Sequence, residues 1–163
     1  MMRATLALLI APLVVATLAA QTSPKPSMVP PREKPLGAQM PTFTSVAKGD
    51  MSGVETMRQV TVRTPAEWQK LWKEHSPDEK LPVVDFDSKM IVGIFLGSKP
   101  STGYGVEILN VRPEGSDLVV EYAQRQPARG TMAAQILTEP FHLVAVAKHP
   151  GPVRFLNAPD TRK

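Results

Sequence analysis

The 163-residue chain contains no cysteine and only three histidines. Without a thiol there is no disulfide, no thiolate zinc site and no cysteine nucleophile. There is also no cysteine to carry a lipid anchor at a processing site. The core alone must hold the fold, and a domain of about 120 residues is large enough for that. The histidines, at positions 75, 142 and 149, show neither an HExxH motif nor a spacing of four, so no metal-ligand pattern is present. A GxSxG elbow is missing as well. Aromatic residues make up 6% of the chain and are not interleaved with basic runs, as a nucleic-acid surface requires. These absences predict a non-enzyme with no cofactor, no metal and no nucleic-acid partner.

What is present begins at the N-terminus. Arg3 precedes "ATLALLIAPLVVATLAA", and small residues stand at Ala19 and Ala20. A basic start, an apolar stretch and a small-residue end predict a secretory signal peptide over residues 1–20. The stretch is short for a bilayer span and Pro12 interrupts it, so stable membrane insertion is not expected after cleavage. Residues 21–41 hold six prolines, which predicts an extended, solvated linker. The expected location is extracytoplasmic, periplasmic or secreted. Signal peptide and linker carry most of the basic excess. From Thr42 onward there are fifteen Lys plus Arg against fourteen Asp plus Glu, so the high overall pI misdescribes the folded part.

Residues 42–163 read as one domain. "TPAEWQKLWKEH" has Thr64 as N-cap, Pro65 at the first helical position and Glu67 three residues after the cap, which is a capping box. Trp68, Leu71 and Trp72 share one face and are expected to anchor the helix on a sheet. Strands are expected in "RQVTVR", in the fully apolar "MIVGIFL", and in "YGVEILNVR" and "DLVVEYAQ" around the turn "PEGS". "FHLVAVAK" and "VRFL" flank a second turn, "HPGP", and residues 42–55 supply one or two more short strands. The expected fold is α+β: a mostly antiparallel sheet system of six or seven short strands, sandwich or barrel-like, with one helix packed on it. Asp85 and Asp87 in "VDFDS" fit a turn cap leading into the central strand, with Phe86 pointing inward. They lack the ligand periodicity of a calcium loop.

The candidate site is the stretch Lys99, Pro100, Ser101, Thr102, Gly103 and Tyr104. Its glycines are followed by a strand rather than a helix, and no GKS or GKT end exists, so it is not a phosphate cradle. A turn remains, with Gly103 and Gly105 allowing positive φ or close backbone approach and Tyr104 starting the next strand. The turn shapes the fold first. As an exposed loop, together with residues 126–131, it is also the candidate contact for a protein partner.

An ordered set of segments resembles the C-terminal domain of the PrcB family, named for an accessory subunit of a bacterial surface protease complex. The segments are "SGV" at 52–54, "TPAEWQKLW" at 64–72, "LPVVDFDSKMIVGIFLGSKPSTGYGVEI" at 81–108, and "TEPFHLVAVAK" at 138–148 followed by "VRF". The resemblance implies an exported, non-catalytic module that associates with a protease and supports its stability. Separately, "KPSTGY" is similar to the "NPTTGY" loop of chagasin-type cysteine protease inhibitors. Pro100, Thr102, Gly103 and Tyr104 match, whereas Lys99 and Ser101 depart. "QPARGTMAAQ" is a loose stand-in for that family's second loop, and nothing answers to its third. That likeness implies the alternative function, a protease inhibitor acting through the loop Lys99 to Tyr104.

Overall fold

The computed structural model describes residues 43–159, apart from Arg129 and Thr131. The expected signal peptide and linker lie outside the described residues. Seven strands and one helix follow in the order β1 (Phe43–Gly49), β2 (Met57–Val62), α1 (Pro65–His75), β3 (Lys89–Leu96), β4 (Gly105–Glu114), β5 (Asp117–Arg125), β6 (Phe141–Ala147) and β7 (Val153–Asn157). They form a four-stranded sheet, β1-β6-β3-β2, and a three-stranded sheet, β4-β5-β7. The sheets do not close into a barrel, so of the two expected architectures the layered one is found.

Helix α1 forms where its capping box predicts. The Thr64 hydroxyl accepts the Glu67 N–H, and the Glu67 carboxylate accepts the Thr64 N–H at 3.2 Å. Trp68, Leu71 and Trp72 bury against the outer face of the four-stranded sheet, with Ile91, Phe95, Phe141 and Leu143. Each indole N–H finds a carbonyl in the segment after the helix: Trp68 donates to Pro82 and Trp72 to Glu79, both at 3.0 Å. Alternate residues of β3 and β6, Met90, Val92, Ile94, Val144 and Val146, face the other way and pack on Val106, Ile108, Val120 and Tyr122 of the second sheet. The apolar run of β3 therefore serves two cores at once, and the layers are helix, sheet, sheet.

The Asp85 turn is also found. Its carboxylate accepts Asp87 N–H at 3.0 Å and the Ser88 hydroxyl at 2.6 Å, and Phe86 is buried. The described part of residues 42–55 gives a single strand, and β4 starts at Gly105 rather than Tyr104. β7 pairs with β5 in parallel, the one parallel pair among the described strands of the mostly antiparallel system. The "HPGP" turn carries the chain from one sheet to the other. Arg63 holds that crossover, donating from Nη2 to the Gly151 carbonyl at 2.6 Å and from Nη1 to that of His149. On the outer face of the second sheet, Arg112 and Arg154 stand on either side of the fully buried Val119. Their stems cover it while their heads pair with Glu114, Asp117 and Glu121.

Candidate functional site

Strand register brings three connections to one end of the molecule. Gly49 pairs with Phe141, Phe141 with Phe95, Met57 with Leu96 and Gly105 with Arg125. Loops 50–56, 97–104 and 126–140 therefore emerge together. The predicted site residues lie in the middle loop.

That loop is fixed by hydrogen bonds to the third. Lys99 and Thr138 form an antiparallel bridge, with Lys99 N–H donating at 2.7 Å and Thr138 N–H returning at 3.0 Å. The Thr138 hydroxyl donates to the Ser101 carbonyl at 3.1 Å. Thr102 N–H donates to the Ala134 carbonyl at 3.0 Å, and the Thr102 hydroxyl accepts Ala134 N–H at 3.1 Å. Ser101 is buried, Lys99, Thr102 and Tyr104 are half-buried, and Pro100 and Gly103 are exposed. The six residues thus hold together as one anchored turn that exposes only two of its members.

More of the surface comes from positions the sequence did not single out. Met132, Ile136 and Leu137 are exposed large apolar residues on the segment that the turn pins. Met51 and Met57, also exposed, flank the first loop, whose Asp50 carbonyl accepts Glu139 N–H at 2.7 Å. Five large apolar side chains are thus exposed in or beside these loops. The signal was an apolar stretch, "MAAQIL", without strand or helix periodicity. Of the expected contact loop 126–131, Arg129 and Thr131 lie outside the described residues.

Each of the three histidines is engaged in hydrogen bonds within the fold. His75 Nδ1 lies 2.8 Å from the Ser52 hydroxyl, which also accepts Val54 N–H at 3.1 Å. The ring is wedged against Trp72, Phe95 and Phe141, with centroids 4.2–5.5 Å away, and burial lowers its pKa, opposed by Glu79. The "SGV" segment is therefore a dock for the first loop: Ser52 binds the ring, Gly53 N–H donates to the His75 carbonyl at 2.8 Å, and Val54 is buried. His142 approaches Ser45, with Nε2 3.0 Å from the hydroxyl, but its Nδ1 accepts Ile108 N–H at 2.9 Å. The neutral ring must then carry its proton on Nε2 and donate to Ser45, the wrong polarity for a general base. His149 accepts Gly151 N–H within its own turn at 3.2 Å. Among the described residues, no group of three or more His, Asp or Glu side chains is placed to hold a metal.

Residues 90–147 match the family model described as PrcB C-terminal. The resemblance read from the sequence is thereby shown over that stretch. The PrcB match runs from β3 through the hairpin β4–β5 to β6 and includes the anchored turn and the whole of loop 126–140. The "SGV" and "TPAEWQKLW" segments lie outside it. No curated protein and no solved structure matches the chain.

Proposed function

We propose that the chain is an exported, non-catalytic accessory module that binds another protein, an extracytoplasmic protease, through its three-loop end. The observation that carries the binding reading is the anchored turn 99–104, which holds the exposed Ile136 and Leu137 on a fixed base. A surface ordered before contact loses little entropy on binding. The PrcB match supports a role beside a protease, and the basic, apolar and small-residue succession of residues 1–20 supports export. The proline-rich residues 21–41 would serve as a tether.

Cross-linking at the three-loop end in the producing cell, followed by identification of the captured chain, tests this reading. A single extracytoplasmic protease captured by the wild type and lost with Ile136→Ser/Leu137→Ser is expected. Capture that is indifferent to the double substitution would overturn it. The inhibitor alternative rests on the same ordered turn, with Pro100 and Gly103 as its exposed points. Titration against papain-like and serine proteases separates the two, because an accessory subunit leaves their activity unchanged at micromolar concentration.

A further inference from the structure

His142 ties three strands with one ring. From β6 it reaches into the space between the sheets, where Nδ1 accepts the Ile108 N–H of β4. β4 is an edge strand with β5 on one side only, and this amide donates to the imidazole of the other sheet. The imidazole nitrogen stands in for a carbonyl. On its other side Nε2 donates to Ser45 of β1, the edge strand of the first sheet. β4 bulges beside the contact, between Ile108 and Asn110. The ring is only 3% exposed, yet it borders an open cleft of about 640 Å³ that Phe43, Lys48 and Glu107 also line.

A protonated imidazole has two donors and no acceptor. Facing it are Lys48 from β1 and Glu107 from β4, which already pair with each other at 3.3 Å. β3, the other neighbour of β6, turns Val92, Ile94 and Leu96 to this side and offers no charge.

We propose that His142 is an acid-released latch on the outer edge of β4. Protonation of Nδ1 sets one donor against another, and the ring leaves Ile108 for the open cleft. Release leaves the Ile108 N–H as an unpaired donor of an edge strand beside β1. Burial first, and then the charge of Lys48, hold the histidine at a pKa of about 4 against the usual 6.5, with Glu107 opposing. The latch therefore stays closed at neutral pH and opens only in acid.

Amide exchange and imidazole nitrogen spectra of the full chain test this. At pH 7 the ring should be the Nε2-protonated tautomer. The protection factor of Ile108 should fall about tenfold per pH unit below 6.5 and level off near pH 4, staying at every pH well below that of Val92 in β3, which exchanges only by global unfolding, and being insensitive to low denaturant. His142→Asn places a non-titrating carbonyl near the position of Nδ1 and should hold Ile108 protection flat over that range. Lys48→Met should move the wild-type midpoint up, and Glu107→Gln should move it down. Ile108 sharing the protection factor and denaturant dependence of Val92, or Ile108 unmoved as His142 titrates, would overturn the latch. If His142→Asn does not fold, the two surface variants decide: opposite shifts support it and unshifted midpoints refute it.

Discussion

Gly103 lies against Pro127 so closely that a β-carbon on it would stand 3.2 Å from the proline Cγ, and its φ is +91°. The positive φ favours glycine there, and the proline ring would have to give by a few tenths of an ångström to admit a side chain. Gly103→Val should cost about 2 kcal/mol, from backbone strain together with the crowded ring. Urea unfolding of the two proteins measures it, and an unchanged midpoint would mean that the turn does not support the fold.

Gly53 poses a sharper steric demand. A β-carbon at this position would come within 2.3 Å of the Glu74 carbonyl oxygen at the end of α1. Backbone must move to admit it, so Gly53→Ala is expected to destabilise by about 1–3 kcal/mol, as overpacking does. Thermal melting checks the loss. Indole fluorescence should change with it, since Trp72 contacts His75 in the same turn.

The helix start offers a milder test. Thr64→Ala removes the acceptor for Glu67 N–H and should cost about 1 kcal/mol, whereas Thr64→Ser should keep most of the stability. Equilibrium denaturation followed by far-UV circular dichroism distinguishes the pair.

Acid should weaken the protein well above the range where carboxylates protonate. The folded pKa of His142, about 4, lies below the 6.5 expected when unfolded. The unfolded chain therefore takes up the proton first. Stability is complete above pH 6.5, declines as the pH falls towards 4, and is level below that with respect to this group. The total loss is about 3 kcal/mol. His75, lowered by burial, adds in the same direction. Denaturant titrations at pH 7, 5.5 and 4 read the slope, and a flat profile would contradict it.

Local chemistry was legible in the sequence, and distant pairing was not. The capping box, the tryptophan stripe and the Asp85 turn are set by residues within four positions of one another, and all appear as expected. The apolar run of β3 announced burial on both faces. "HPGP" signals a reversal equally well whether the flanking strands pair or part, so the parallel partner of β7 could not be read from it. The anchored turn was located, but its anchors, Ala134 and Thr138, are more than 30 residues away. His142 looked like an ordinary strand residue because Ile108, its hydrogen-bond donor, belongs to the opposite sheet.

The route of the chain from β5 to β6 to β7 has a mechanical consequence. It leaves the three-stranded sheet, builds an interior strand of the other, and returns to lie beside β5. Neither half can come undone while the other stays whole, much as a stitch through two layers of cloth prevents either from lifting alone. Heat should consequently take the domain apart in one step, with equal calorimetric and van't Hoff enthalpies.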